Sequence, residues 1–143
     1  MEYESKCGVY TESLNVDWKN INMMEQQMHK IAVLLSSYNG YEYIEEQIDS
    51  ICKQKNVDFT LYIRDDGSEK EFVELLCGLQ KKYDFKLLKE KNIGFLKSFM
   101  ELLAAVDDAD LYAFSDQDDI WSESKLEIAE QWFQKQNSYD SIP

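Results

Sequence analysis

From Ile31 onward, apolar runs that suit buried strands alternate with segments whose apolar residues recur at helical spacing. Ile31-Ala32-Val33-Leu34-Leu35 has no polar interruption, the mark of a strand covered on both faces. Ile44, Ile48, Ile51 and Cys52 then share one helical face. Phe59–Arg64 predicts a second strand, which ends at Asp65-Asp66-Gly67-Ser68, with Asp65 as its last residue. Ser68 and Glu71 have capping-box spacing and open a helix carrying Phe72, Leu75, Leu76 and Leu79. Phe85–Leu88 predicts a short third strand, punctuated by Asn92 and Gly94. Phe95, Phe99, Leu102, Leu103 and Val106 form the next helical face. Leu111–Phe114 predicts a fourth strand, and a last helix carries Leu126, Ala129 and Phe133 behind a second capping box at Ser124 and Glu127. Such alternation predicts an α/β fold, a Rossmann-like three-layer sandwich with a mostly parallel sheet and right-handed crossovers.

A chain of 143 residues suits a single domain. The alternating pattern assigns residues 28–143 to it. Residues 1–27 read as an N-terminal extension with a weak helical repeat at Trp18, Ile21, Met24 and Met28. The net charge of -13 argues against a nucleic-acid partner, whose phosphates require Lys and Arg, and against an anionic membrane surface. Cys7, Cys52 and Cys77 lack metal-ligand spacing and are odd in number, which suits a reducing, cytoplasmic setting. No run reaches the ~18 apolar residues of a membrane span, and the acidic N-terminus does not resemble a secretory signal.

In parallel sheets, ligands bind beyond the carboxyl ends of the strands, where strand order reverses. Polar clusters follow all four predicted strands, at Ser36–Gly40, Asp65–Ser68, Lys91–Gly94 and Asp116–Asp119. Asp116, Asp118 and Asp119 crowd three carboxylates into four residues, a donor set for a hard divalent cation shared with a diphosphate. The alternative is a solvated loop whose aspartates cap the next helix. Tyr38 is placed to stack on a base and Ser36 to hydrogen-bond it; the alternative for both is a plain turn. Asp65 is expected to point at the ligand edge and accept from a base N–H, whereas Asp66, Gly67 and Ser68 read as turn and cap chemistry. His29 reads as a surface residue and Trp121 as a packing residue.

Ser-Ser-Tyr-Asn-Gly (36–40), Ile-Arg-Asp-Asp-Gly-Ser (63–68), Asn-Ile-Gly-Phe (92–95) and Phe-Ser-Asp-Gln-Asp-Asp-Ile-Trp (114–121) stand in one order and register. Together they resemble the GT-A fold glycosyltransferases of family 2, over about residues 29–136. The last motif, with Lys125-Leu126 behind it, is most similar to rhamnosyltransferase-like bacterial members that build cell-surface polysaccharide. The resemblance implies an inverting transfer from a nucleotide-diphosphate sugar, with dTDP-rhamnose favoured and UDP-sugars as the alternative. It implies nucleotide contacts at Ser36, Tyr38, Asp65, Asp116 and Gln117. Asp118 and Asp116 match metal-binding positions, Asp118 as the DXD ligand, for Mg2+ or Mn2+.

In that family a further half binds a saccharide or lipid-linked acceptor and supplies the general base. No carboxylate of this chain takes that role, so the 143 residues alone are expected to bind a donor weakly or not at all and to lack transferase activity, as an expressed fragment or truncated gene product. The complete enzyme is expected to be cytoplasmic or membrane-peripheral. The competing reading is a non-catalytic nucleotide-binding or interaction module, with homo-oligomerisation through an open sheet edge. A receiver-like or phosphatase-like domain fits poorly, because the first strand ends in Ser36-Ser37 rather than an aspartate.

Overall fold

A computed structural model describes residues 27–139; the helical repeat at Trp18, Ile21 and Met24 lies outside them. Strands β1 (Lys30–Ser37), β2 (Asp58–Asp66), β3 (Lys86–Glu90) and β4 (Leu111–Ser115) alternate with helices α1 (Ile44–Cys52), α2 (Lys70–Leu79), α3 (Phe95–Ala105) and α4 (Lys125–Tyr139). The sheet is parallel throughout, in the order β3-β2-β1-β4. The chain therefore steps outward from β1 to β3, then returns to the far side of β1. This reversal puts the switch point at the carboxyl ends of β1 and β4.

The alternation of side chains along each strand divides the core into two layers. Ile31, Val33 and Leu35 of β1 join Leu61 and Ile63 of β2 against α1, α2, Trp121 and Leu126. Ala32, Leu34 and Tyr62 face the other way, onto Phe99 and Leu102 of α3. β1 is buried along almost its whole length, as its uninterrupted apolar run requires.

Four local expectations are corrected. β2 continues through Asp66, one residue beyond the expected end. β3 begins and ends later than the apolar run suggests; Phe85 is buried as a plug ahead of the strand, and pairing starts at Lys86↔Tyr62. As the outermost strand, β3 accommodates Lys86, Lys89 and Glu90 at its exposed edge. α3 stops at Ala105, so Val106 is extended, and Phe95 is exposed.

Neither expected capping box forms. Ser68 accepts from Asn39 N–H at 2.9 Å, and Asn39 Oδ1 accepts from Glu69 N–H at 2.9 Å, so the opening of α2 is tied to the β1–α1 loop. At α4, Leu126 N–H donates to Gln54 Oε1 and Glu127 accepts from Asn56. In both places a partner distant in sequence displaces the local capping contact.

Candidate functional site

The carboxyl ends of the strands surround a cleft of about 260 Å3. Ser36 and Tyr38 line it from the end of β1, Asp66 from β2, Asn92, Gly94 and Phe95 from the entrance to α3, and Gln117 from the acidic loop. Tyr38 and Asn92 are exposed there. Ser36 is buried, and its hydroxyl lies 2.5 Å from the Ser98 hydroxyl of α3. Gln117 reaches across from the other side: a Cβ added to Gly40 would sit 2.8 Å from its amide nitrogen.

Asp65 is not brought into this cleft, and the period of two along a strand explains why. Ser36 pairs with Arg64 and Ser37 with Asp65, so Arg64 and Asp66 share the cleft face while Asp65 lies on the opposite one. Asp65 is buried there; its Oδ2 accepts from Ser68 N–H at 3.1 Å, and Oδ1 has no partner among the described residues. The turn chemistry expected of Asp66 thus belongs to Asp65. Asp66 instead pairs with the buried Arg64 guanidinium at 2.5 Å and accepts the backbone N–H groups of Ile93 and Gly94 at 2.9 and 3.1 Å. Arg64 also donates to the Lys91 carbonyl and the Ser98 hydroxyl.

The acidic loop is exposed from Asp116 through Ile120 but anchored at both ends by Gln47 and Ser50 of α1 and by Gln54 just beyond the helix. Gln47, fully buried, donates to Ser115 Oγ and to the Asp116 carbonyl. Ser50 Oγ accepts from Trp121 N–H at 3.1 Å. Gln54 donates to the Ser122 carbonyl at 2.6 Å. Gln47 and Ser50 lie one turn apart on α1, and Gln54 continues the row of contacts just past the helix end. Asp118 sits between the anchors with φ 79°, a left-handed conformation that costs a non-glycine residue about 1–2 kcal/mol. Glu42, hydrogen-bonded to Tyr43, and then the Asp118 charge hold the Tyr43 phenol above its ordinary pKa, which records the crowding of negative charge here.

Among the described residues, no three acidic, histidine or cysteine side chains converge as a closed metal cluster. The exposed carboxylates of Asp116 and Asp118 are oxygen donors of the kind that Mg2+ or Mn2+ takes together with ligand phosphates, and they form no closed cage.

The remaining expectations divide. Trp121 is buried in the core, as read, with Lys125 Nζ 4.3 Å from its ring centroid. His29 is more than a surface residue: it pairs with the buried Glu130 at 2.9 Å, joining the start of β1 to α4. Sequence reasoning passed over Gln47, Arg64 and Ser98. For Gln47 a signal existed, since it interrupts the apolar stripe of Ile44, Ile48 and Ile51. For Arg64 and Ser98 there was none without the sheet register.

Comparison with known proteins bears on this arrangement. The model of "Glycosyl transferase family 2" matches residues 32–143. The dTDP-rhamnosyl transferase RfbG of Shigella flexneri is 38% identical over 101 residues, covering 66% of this chain and 35% of that protein. A teichoic acid poly(glycerol phosphate) polymerase of Staphylococcus epidermidis is 36% identical over 69 residues, covering 48% and 9% respectively. This chain thus spans about a third of RfbG and less of the polymerase. TarS of S. aureus, also solved in complex with UDP, superposes with a TM-score of 0.66 at 24% identity, over 74% of this chain and 32% of that one. The mannosyltransferase PcManGT of Pyrobaculum calidifontis, solved with GDP-Man and Mn2+, gives 0.64 at 17% identity, over 81% and 38%. The structural likenesses establish a shared GT-A fold, and the family match extends over nearly all of the sheet and the acidic loop: the chain belongs to glycosyl transferase family 2.

Proposed function

We propose that this chain carries the nucleotide-sugar-binding part of an inverting, metal-dependent glycosyltransferase of cell-surface polysaccharide synthesis, with dTDP-rhamnose or a UDP-sugar as donor. The observation that carries the reading is the cleft at the sheet's switch point with the acidic loop, anchored on both sides, at its rim. Tyr38 offers an aromatic face for a base, and the Gln117 amide lies beside it. Asp65, buried on the opposite face of β2, takes no part in this cleft. Asp116 and Asp118 would hold a cation shared with a donor diphosphate, which would let a chain of net charge -13 take an anion. The ion supplies Lewis-acid stabilisation of the charge growing on the departing diphosphate. The sequence kinship with the dTDP-rhamnosyl transferase supports dTDP-rhamnose. A saccharide or lipid-linked acceptor completes the reaction in the whole enzyme.

Calorimetric titration tests this reading. UDP or dTDP binds in the presence of Mn2+, and Asp118→Ala weakens the Mn2+-dependent binding roughly tenfold, the equivalent of one lost charge-assisted contact. Equal affinity with and without Mn2+, or an unchanged Asp118→Ala, would contradict it.

A second reading has its own observation. Among the described residues β4 is an outer strand whose Tyr112 and Phe114 are about half exposed, an edge open to pairing with a second copy. Self-association would appear as a concentration-dependent mass in sedimentation. A monomer mass at all concentrations removes the homo-oligomer.

A further inference from the structure

The mechanism above makes no use of the buried Arg64–Asp66 pair, although it borders the cleft. Burial is nearly complete for both side chains, at 2% and 5% exposure. Each oxygen of the Asp66 carboxylate is committed: Oδ1 to Arg64 and Ile93 N–H, Oδ2 to Gly94 N–H. Both terminal nitrogens of Arg64 are engaged, by Asp66, Ser98 and the Lys91 carbonyl, while its Nε has no partner among the described residues. Ser98 continues the chain of contacts to Ser36. One carboxylate and one guanidinium therefore hold three of the four residues of the loop that enters α3, at 91, 93 and 94. The one residue of that run they do not hold is Asn92, which is exposed and lines the cleft. Gly94 follows with φ 87° and opens α3.

We infer that Arg64 and Asp66 are positioning residues for the donor, fixing the Lys91–Gly94 loop so that Asn92 presents its amide to the nucleotide sugar in the cleft. The inference rests on the nucleotide-sugar reading and extends it to residues with no place in that reading. Preorganisation of this kind matters because a hydrogen-bonding group in a mobile loop must be ordered when the ligand binds, and that cost comes out of the affinity. A buried pair makes the ordering part of folding instead. The clamp suits the task because its bonds are charge-assisted and end on backbone groups, which fixes the course of the loop whatever its side chains do.

A double-mutant cycle on UDP and dTDP affinity, measured calorimetrically with Mn2+ on the whole chain, tests this. Asp66→Asn keeps the shape but removes the charge, and Asn92→Ala removes the presented amide. Each single variant weakens binding roughly tenfold, and the double variant is no weaker than the worse of the two, because both act through one contact. Additive losses, roughly a hundredfold in the double variant, overturn the inference. A purely structural role for Asp66 predicts that additivity, since lost folding does not depend on Asn92. Amide exchange gives an independent readout: Ile93 and Gly94 exchange faster in Asp66→Asn while Leu34 in β1 is unchanged, and unchanged Ile93 and Gly94 rates also overturn it. Should Asp66→Asn fail to fold, Ser98→Ala, which removes one Arg64 contact and leaves the ion pair, takes its place in the cycle. If the wild type binds neither nucleotide, the functional reading and this inference fall together. If it binds both and the cycle is additive, only the inference falls.

Discussion

Arg64→Ala lowers the stability of the chain by about 3–5 kcal/mol, the cost of leaving a buried carboxylate without its counter-charge. Chemical denaturation followed by tryptophan fluorescence measures the loss. Domains of this size are commonly stable by about 5–15 kcal/mol, so roughly a fifth or more of the total depends on this one side chain. The prediction follows from geometry. Arg64 is among the largest fully buried side chains, and alanine would leave behind both an unpaired Asp66 and unsatisfied acceptors at Lys91 and Ser98. Other ion pairs here behave differently. Lys70–Glu74 spans 3.6 Å with both side chains largely exposed, and pairs of that kind contribute roughly 0–1 kcal/mol. Arg64→Lys separates charge from shape: it keeps a cation near Asp66 but lacks the planar fork that reaches three acceptors at once. An intermediate loss is expected for it. A loss for Arg64→Ala no larger than that of a Lys70 variant would show that the pair is solvated in solution.

Much of the fold was legible in the sequence because its strongest signals are strictly periodic. The unbroken run from Ile31 to Leu35 admits only a strand covered on both faces, and the structure buries it on both. The stripes of α1 and α2 follow just as directly. The misreadings arose where two local rules competed. Asp65-Asp66-Gly67-Ser68 carries turn chemistry, but β2 pairs with β3 through Asp66↔Glu90, so strand alternation holds to Asp66 and places it, not Asp65, on the cleft face. Residue types alone cannot fix such a parity. The capping boxes failed for a related reason: Ser68 is claimed by Asn39 and Leu126 N–H by Gln54, partners about thirty and seventy residues away. Within the candidate site, the types were readable and the anchoring was not. The carboxylates of Asp116 and Asp118 announce themselves in the sequence. The row of Gln47 and Ser50 on α1 and Gln54 just beyond it, which holds their loop, takes meaning only once β4 is known to lie beside β1.

Gly67→Ala destabilises the chain by about 2–5 kcal/mol, combining the strain of a left-handed alanine with the overpacking of a methyl group against backbone. Gly67 has φ 78°, and a Cβ placed there would lie 2.5 Å from the Asn92 backbone nitrogen. A flexible side-chain tip could swing aside; this nitrogen is flanked by the Lys91 carbonyl and the Ile93 N–H that Arg64 and Asp66 hold. The methyl group and the clamp therefore contend for the same space. Gly78→Ala is the matched control. Gly78 lies in α2, where an added Cβ meets nothing within 4 Å, and alanine there raises stability by about 0.4–1 kcal/mol. Opposite signs in one denaturation series would tie the Gly67 effect to its site, whereas two stabilising substitutions would mean that the Asn92 loop yields. Because the displaced atom belongs to Asn92, nucleotide affinity reports on the same event. If the loop is the rigid wall of the cleft, the folded Gly67→Ala chain binds UDP more weakly in Mn2+ even where unfolding is negligible. If the loop yields, affinity persists, and the wall that Arg64 and Asp66 hold is not the one the donor meets.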